Sequence, residues 1–296
     1  MSILGSMLQR SLRRILPERD HSTAVGGEVP HEEDQEIKGD RVLYRVCPLC
    51  DAPDIADYFV GDCSKHVLYQ PSLDPRIHWK QCIQCQHIFT DGYFTADACT
   101  RIFERTNENQ KLGHDFENQR MVSSRMIDKM LPFVSAGRWL DVGFGNGSLL
   151  LTAKEYGFTP LGTDLRAANV KDISGMGVEA YCKELDQLTL ADKCSVISMA
   201  DVLEHTPYPK TYLSAAHRLL GEGGMLLVSM PNTESIVWYV YHEQRLNPYW
   251  GEIEHYHNFS RSRLYDLLLE TGFEPVRYGV SERYQACMEV IARRRP

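Results

Sequence analysis

Asp141-Val-Gly-Phe-Gly-Asn-Gly147 is the stretch that decides the fold of this chain. It overlaps the end of an apolar segment, residues 138–142, and precedes a helix-like segment, residues 148–156. Glycines at alternate positions leave a strand-to-helix turn without side chains, so a bulky ligand can lie against the backbone at the carboxyl edge of a parallel sheet. The pattern therefore predicts a site for a nucleotide-like cofactor.

The chemistry of this turn indicates the charge of the cofactor. A dinucleotide-binding turn has the pattern Gly-x-Gly-x-x-Gly and faces a pyrophosphate with bare backbone and a helix N-terminus. This chain has Ser148 at the position of the third glycine, and Asp141 places a negative charge at the end of the strand. That charge repels a diphosphate and attracts an ammonium or sulfonium group. We therefore expect a cationic ligand.

Strand-like and helix-like segments alternate over the rest of the chain. Alternation of this kind predicts an α/β fold with a wound, mainly parallel sheet. The predicted strands are 138–142, 160–163, 178–182, 195–199, 225–230, 273–280 and 286–292, and the predicted helices are 116–131, 148–156, 208–220 and 260–269. The second strand ends at Asp164, close to the spacing at which an acid accepts both ribose hydroxyls in nucleotide-binding units.

Several of these segments together resemble class I S-adenosylmethionine-dependent methyltransferases, and in particular the small-molecule methyltransferases of the ubiquinone-biosynthesis type. The segments are 140–147, Asp164, 200–205, 225–232 and 254–272, and the resemblance covers residues 137–293. It implies a Rossmann-like, seven-stranded sheet and S-adenosylmethionine as the cofactor, with the adenine near Glu184 and Leu185. The expected cofactor-binding residues are Asp141, Gly143, Gly145, Gly147, Asp164, Leu165, Glu184, Leu185, Ala200 and Asp201.

Two clusters are candidates for the chemistry of methyl transfer. Asp201-x-x-Glu204-His205 resembles a stretch that is associated with a divalent metal in ubiquinone-type O-methyltransferases, with aspartate here in place of the first glutamate. His205 could be a general base, the cluster could hold a metal, or it could serve the fold alone. The second cluster, 254–260, resembles the Glu-His-x-x-x-Phe-Ser stretch of the family, in which the histidine faces the substrate. His255 or His257 could accept a proton there, or could be a loop histidine bonded to backbone.

An aromatic insertion, residues 238–250, lies between these two clusters. We expect its rings either to cover the active site and exclude water or to pack on the N-terminal module described next.

Four of the nine cysteines form two Cys-x-x-Cys pairs, Cys47 with Cys50 and Cys82 with Cys85. Two such pairs complete a tetrahedral site that leaves no position for water, so we predict a structural zinc ion in a small ribbon with strands at 44–46, 77–79 and 87–89. An iron–sulfur cluster and free buried thiols are the alternatives. We expect the other five cysteines to be ordinary thiols.

The composition excludes some classes of function. The chain has 296 residues, of which 43% are hydrophobic, and a net charge of −8. A negative net charge disfavours a nucleic-acid partner. No apolar run reaches the ~20 residues that span a bilayer, and the N-terminus lacks the features of a secretory signal. We therefore expect a cytoplasmic protein.

We expect four parts along the chain. These are a flexible N-terminal segment (1–40), the zinc-binding ribbon (41–95), a helical linker (96–136) and the methyltransferase domain (137–296). Within the first part, residues 2–16 are apolar on one side, with Arg10 and Arg13 on the other. This segment could make a weak contact with a membrane surface or a protein, or could be a disordered or terminal packing helix.

These observations predict an enzyme that transfers a methyl group from S-adenosylmethionine to a small molecule. The predicted acceptor is a hydroxyl oxygen, and the candidate catalytic residues are Glu204, His205, His255 and His257. Similar zinc modules occur in some sugar C-methyltransferases, a partial resemblance that does not carry over their substrate. C- or N-methylation of a sugar or natural-product intermediate is an alternative. The Cys-Pro-Leu-Cys sequence also occurs in some RNA methyltransferases. A fourth possibility is a non-catalytic module that binds the cofactor and a protein partner.

Overall fold

The computed structural model describes residues 36–103, 110–284 and 286–296. The predictions on residues 2–16 lie outside the described residues. The strands are β1 (Ile37–Lys38), β2 (Arg41–Leu43), β3 (Ile55–Asp62), β4 (Arg76–Cys82), β5 (Ile88–Thr90), β6 (Gly92–Phe94), β7 (Arg138–Val142), β8 (Thr159–Thr163), β9 (Glu179–Tyr181), β10 (Cys194–Ala200), β11 (Leu220–Pro231), β12 (His257–Asn258), β13 (Phe273–Val280) and β14 (Cys287–Arg294). The helices are α1 (Ala96–Phe103), α2 (Phe116–Met130), α3 (Ser148–Glu155), α4 (Ala167–Gly175), α5 (Pro209–Leu219), α6 (Ile236–Glu243) and α7 (Arg261–Glu270), with short 3₁₀ turns at Leu203–His205 and Pro248–Gly251.

A seven-stranded sheet forms the centre of the C-terminal part, in the order β13-β14-β11-β10-β7-β8-β9. β7 to β11 pair in parallel, and β14 runs antiparallel to both β11 and β13. The predicted Rossmann-like, mainly parallel sheet is therefore confirmed. Because β7 and β10 are neighbours while β8 lies on the other side of β7, the strand order reverses at β7. In open α/β sheets, ligands bind beyond the carboxyl ends of the strands at such a point.

The central strands are apolar because both faces of the sheet are covered. Trp139 and Leu140 of β7 are fully buried, and the Trp139 indole donates a hydrogen bond of 2.9 Å to Ser198 Oγ of β10. Met126 and Met130 of α2 pack in the same cluster as Trp139, which is the packing role that their helical spacing predicts.

Two details of the predicted elements were wrong. β11 begins at Leu220 rather than at residue 225, because Leu220 pairs with Cys194 and the glycines that follow form an irregularity within the strand instead of ending it. Residues 44–46 are not a strand, because β2 ends at Leu43 and the chain then turns toward the first cysteine pair.

The ribbon (residues 41–95) joins the rest of the fold through a shared sheet. Its strands β3, β4 and β5 form an antiparallel sheet, and the fourth strand of that sheet is β12, from the C-terminal part of the chain. Leu49 and Phe89 of the ribbon belong to the same hydrophobic cluster as Phe259 and Leu264. Residues 36–296 form one compact unit.

Within the described residues, no helix is both long and apolar enough to cross a membrane.

Candidate active site

The glycine turn follows β7, the strand at which the strand order reverses. Gly143, Gly145 and Gly147 have φ angles of 64°, 52° and 76°, in the left-handed region that favours glycine. A Cβ at Gly147 would lie 2.5 Å from Leu112 Cδ1, whereas a Cβ at Gly145 would meet only a backbone oxygen, at 3.9 Å. The turn therefore presents bare backbone at Gly145, as a bound ligand requires.

Asp164 lies beside this turn because β7 and β8 are parallel neighbours whose carboxyl ends meet at one edge. The carboxylate is buried and accepts hydrogen bonds from the backbone N–H groups of Gly145 (3.0 Å) and Arg166 (2.8 Å). The Arg166 guanidinium lies 3.6 Å from it. These contacts hold the acid at the end of β8, next to the bare backbone.

Asp141 is the buried acid at the end of β7. It accepts a hydrogen bond of 2.6 Å from Ser198 Oγ. Burial raises the pKa of Asp141 to about 7, although the Ser198 hydrogen bond and the charge of Arg283 act in the opposite direction, while Asp164 raises it further. A carboxyl group in this state gains from a cation in the crevice, because a positive charge favours its ionised form.

Asp201 follows β10 with a φ angle of 58°, an uncommon value for a residue other than glycine. Its carboxylate accepts a hydrogen bond from Ser229 Oγ (3.0 Å) and forms an ion pair with Arg283 Nε (3.2 Å). Arg283 also donates to the Ala200 carbonyl at 3.3 Å. No local sequence pattern indicates Arg283, because it lies between β13 and β14 and approaches Asp201 only through the pairing of these strands in the sheet.

The residues expected near the adenine differ in their exposure. Leu165 is 62% exposed, whereas Leu185 is fully buried in a hydrophobic cluster with Leu140. Glu184 is half-buried and accepts a hydrogen bond from the Tyr212 hydroxyl. Leu165 and Glu184 are therefore accessible to a ligand, and the Leu185 side chain serves the core.

Glu204, His205 and His255 converge next to Asp201. One ligand atom of each lies within 4.8 Å of the others, and the His205 and His255 rings meet edge to face with centroids 4.7 Å apart. Glu204 is 1% exposed, and among the described residues neither of its carboxylate oxygens has a hydrogen-bond partner; the same holds for Nδ1 of the buried His255. Burial and the Asp201 charge raise the pKa of Glu204, while burial and His205 lower that of His255 to about 3.

The His205 ring has a defined tautomer. Its Nδ1 lies 3.0 Å from the backbone carbonyl oxygen of Glu254. A carbonyl only accepts hydrogen bonds, so Nδ1 carries the proton and Nε2 presents a lone pair. The half-buried ring is therefore held in the form that can accept a proton at Nε2.

A family model described as a methyltransferase domain matches residues 116–278 of this chain. The chain belongs to the methyltransferase domain family. It is an S-adenosylmethionine-dependent methyltransferase.

Known proteins are similar to part of this methyltransferase. The ubiquinone biosynthesis O-methyltransferase of Cereibacter sphaeroides is 26% identical over 180 residues, which are 55% of this chain and 70% of that protein. The protein of the same name from Idiomarina loihiensis is 31% identical over 109 residues, 33% of this chain and 44% of that one. Among solved structures, a chain of the complex between the Haloferax volcanii Trm112 methyltransferase activator and a methyltransferase shares the fold with a TM-score of 0.51 at 12% identity, covering 62% of this chain and 93% of that one.

The position of His257 in this methyltransferase differs from the catalytic one that the sequence suggested. The ring is fully buried, its Nδ1 lies 3.0 Å from His87 Nε2, and its Nε2 lies 2.9 Å from the Thr206 carbonyl oxygen. Both ring nitrogens are thus engaged within the protein, because the residue lies on β12, which pairs with β5 of the ribbon. The structure therefore gives His257 a place in the packing between β12 and the ribbon.

A second group of ionisable residues, which the sequence did not predict as a group, lies near His205 and His255. His66 of the ribbon is 2.5 Å from a carboxylate oxygen of Glu252, and Glu254 completes the group. Although burial acts to raise it, the pKa of Glu252 is lowered to about 2, chiefly by its hydrogen bond with His66. The ribbon therefore contributes a side chain to the neighbourhood of the active site.

The aromatic insertion packs on the ribbon and also contacts the site. Trp250 packs in one hydrophobic cluster with Trp79, whose indole donates a hydrogen bond of 3.0 Å to the Trp250 carbonyl. Tyr249 stacks parallel to the His255 ring, with centroids 6.2 Å apart. The insertion therefore packs on the ribbon, as one interpretation predicted, and Tyr249 also contacts the candidate catalytic residue His255.

The four cysteines of the ribbon lie together. The sulfur of Cys47 is 3.6 Å from that of Cys85, the sulfur of Cys50 is 3.5 Å from that of Cys82, and all four lie within 4.8 Å of one another. Sulfurs bound to one tetrahedral zinc ion at ~2.3 Å are about 3.8 Å apart. The donor set and its spacing fit a four-thiolate metal site.

Proposed function

We propose that this methyltransferase transfers the methyl group of S-adenosylmethionine to a hydroxyl oxygen of a small molecule, and that His205 Nε2 removes the hydroxyl proton. The observation that carries this proposal is the hydrogen bond from His205 Nδ1 to the Glu254 carbonyl oxygen. It fixes the basic nitrogen of a half-buried ring beside the cofactor crevice. Similarity to ubiquinone biosynthesis O-methyltransferases supports oxygen as the acceptor atom.

The cofactor would lie on the bare backbone at Gly145. In this arrangement Asp164 accepts the ribose hydroxyls, and Asp141 faces the positively charged end of the cofactor. Leu165 and Glu184 line the adenine side. The methyl group then has to meet the acceptor oxygen opposite the sulfur, at roughly 3 to 3.5 Å, and such positioning supplies about 7 to 11 kcal/mol of the barrier.

A divalent metal at Glu204, His205 and His255 is a second mode for the same reaction. In the part of the chain that the structure describes, the Glu204 oxygens and His255 Nδ1 have no hydrogen-bond partner, and buried groups of this kind are suited to hold a cation. Asp201 is not part of this group, since Ser229 and Arg283 already engage its carboxylate. A bound cation would lower the pKa of the acceptor hydroxyl; loss of activity in EDTA, restored by Mg²⁺ or Mn²⁺, would identify this mode.

The four cysteines are proposed to bind a structural zinc ion. A shell of four thiolates has no open position for substrate, so its role is to hold the ribbon together. Metal analysis of the purified protein is expected to give one zinc ion per chain.

The acceptor can be identified with methyl-labelled S-adenosylmethionine and a panel of phenols, catechols, nucleotide-linked sugars, amines and RNA. We expect a labelled methyl ether from a hydroxylated small molecule, with its position assigned by NMR. Label on carbon, nitrogen or RNA would instead support the alternatives of C- or N-methylation or of an RNA methyltransferase. Cofactor binding without transfer to any acceptor, including a cell metabolite extract, would favour a non-catalytic module.

Replacing Asp164 with alanine is expected to weaken the binding of S-adenosylhomocysteine at least tenfold. Hydrogen bonds to a charged group contribute about 1.5 to 3 kcal/mol each, and about 1.4 kcal/mol corresponds to a factor of ten. Calorimetric titration measures the change. Asp192→Ala is the control, because its side chain is 83% exposed and it precedes β10 at the opposite edge of the sheet. Equal affinity in the Asp164 variant and wild type would contradict the ribose assignment.

The affinity for S-adenosylmethionine is expected to rise with pH through about 7. The pKa of Asp141 is about 7 without cofactor, and a sulfonium beside it favours the ionised form, so binding releases a proton. At pH 6 the affinity should be roughly tenfold below its plateau. Calorimetry in buffers of different ionisation enthalpy measures the released proton.

The neutral thioether S-adenosylhomocysteine provides the control for this pH dependence, and its affinity should change much less. Asp141→Asn should remove the difference between the two ligands. Identical pH profiles for both ligands in wild type would show that Asp141 does not face the sulfonium.

A further inference from the structure

A pair of buried histidines joins the ribbon to the loop that carries His205 and Thr206. His87 follows the second cysteine pair and is 1% exposed; His257 lies on β12 and is 0% exposed. Their rings stack with centroids 5.2 Å apart, and His87 Nε2 lies 3.0 Å from His257 Nδ1. Neither residue contributes to cofactor binding or to proton transfer as proposed above.

The Thr206 carbonyl oxygen, which lies next to His257, determines which nitrogen donates in each hydrogen bond of this pair. His257 Nε2 lies 2.9 Å from the carbonyl oxygen of Thr206, which can only accept, so Nε2 carries the proton. A neutral imidazole carries its proton on one nitrogen only, so His257 Nδ1, 3.0 Å from His87 Nε2, is the acceptor. His87 Nε2–H is therefore the donor, and a directed chain runs from His87 through His257 to the backbone next to His205.

Other contacts bind the ribbon to the same two loops. The Tyr44 hydroxyl donates a hydrogen bond of 2.7 Å to the Pro207 carbonyl. The backbone N–H of Tyr256 donates to the Glu204 carbonyl at 2.8 Å, and the Tyr256 carbonyl accepts from Thr90 N–H of β5 at 2.9 Å. The two loops that carry His205 and His255 are thus each fastened to the ribbon.

We propose that His87 and His257 are positioning residues, which use the ribbon to fix the loop that carries His205. This inference rests on the proposed role of His205. The pair holds the Thr206 carbonyl, and the adjacent His205 ring is then held by Glu254. The ribbon acts in methyl transfer through this chain of contacts, without touching the reacting atoms.

The decisive variants are His87→Phe and His87→Gln. Phenylalanine keeps the aromatic packing of His87 against Phe259, whose ring centroid is 4.9 Å away, but cannot donate to His257. Glutamine places an amide N–H near the position of Nε2 and can restore that hydrogen bond. His217→Phe is the matched control. The His217 ring also contacts a phenylalanine ring, that of Phe273, and a backbone oxygen, but this oxygen belongs to Arg295 and not to the loop that carries His205.

The position of the His205 ring can be followed without an acceptor. Long-range ¹H–¹⁵N spectra of imidazole-labelled protein with bound S-adenosylhomocysteine report the tautomer and surroundings of each histidine, and His205→Gln assigns the His205 signal. In His87→Phe we expect the His205 shifts to move and the signal to broaden; His87→Gln should restore them, and His217→Phe should leave them unchanged. Zinc content and the affinity for S-adenosylhomocysteine should stay at wild-type values.

With the acceptor found in the panel, His87→Phe should lower kcat by about tenfold to 100-fold with little change in KM, because a small misplacement of a catalytic group has effects of this size. His87→Gln should have a kcat close to that of the wild type. Should His87→Phe not fold, Tyr44→Phe removes one contact to the same loop and is expected to act in the same direction, more weakly.

An unchanged His205 signal in folded, zinc-loaded His87→Phe would overturn the proposal, as would glutamine failing to rescue it. This outcome is distinct from a failure of the proposed function, in which His205→Gln would retain its rate whatever the position of the ring.

Discussion

Replacing His205 with glutamine is expected to lower methyl transfer about 100-fold to 10,000-fold, the range that a general base contributes. Glutamine has a similar length and keeps an N–H group, but it has no basic nitrogen to take the acceptor proton. Binding of S-adenosylmethionine should be unaffected, because the residues proposed to hold the cofactor are the glycine turn and the acids at the ends of β7 and β8. Single-turnover rates with the identified acceptor, together with calorimetry, separate the two effects.

His255→Gln is the comparison that makes this prediction specific. Its ring is buried and its pKa is lowered to about 3, so it is a poor proton acceptor near neutral pH. We expect this variant to lose less activity than His205→Gln. The reverse order would assign the base to His255. Equal, complete losses together with EDTA sensitivity would favour the metal-assisted mode.

Replacing Cys82 with serine is expected to abolish zinc binding and to destabilise the whole described fold. Cys82 is fully buried and packs in the hydrophobic cluster that also contains Phe259. Loss of a structural metal is one of the changes that cost more than about 4 kcal/mol of unfolding free energy. Metal analysis and denaturant unfolding measure the two effects.

Cys182→Ser is the matched control for this experiment, because Cys182 is exposed and lies outside the cysteine cluster. It should keep one zinc ion and wild-type stability. If the Cys82 variant retained full zinc content, the four-thiolate site would be wrong. If it lost zinc but kept the wild-type unfolding curve, the ion would have no structural role.

The parts of the site that sequence predicts best are those built locally. The glycine turn and Asp164 follow from short patterns, because a strand end and the next few residues determine their geometry. The same holds for the cysteine pairs. The seven strands were also predictable, since buried parallel strands are continuous apolar runs. The strand boundaries were harder to predict: the glycines near the start of β11 were expected to precede the strand but lie within it.

Residues brought to the site by distant pairings could not be predicted. Arg283 reaches Asp201 from the loop between β13 and β14, and His66 reaches Glu252 from the ribbon. His257 was assigned a catalytic role because its local pattern matches a reactive loop. Its burial depends on the pairing of β12 with β5, which brings His257 next to His87, 170 residues earlier in the chain. No short sequence pattern predicts that pairing.

The pairing of β12 with β5 also has a consequence for how the protein is made. During synthesis the ribbon leaves the ribosome first, and β5 then has an unpaired edge until the residues of β12 have been added. Exposed edges of this kind are sites of aggregation, and contacts between distant residues form late in folding. Until β12 has been synthesised, the sheet of β3, β4 and β5 can therefore pair with the edges of other chains and aggregate.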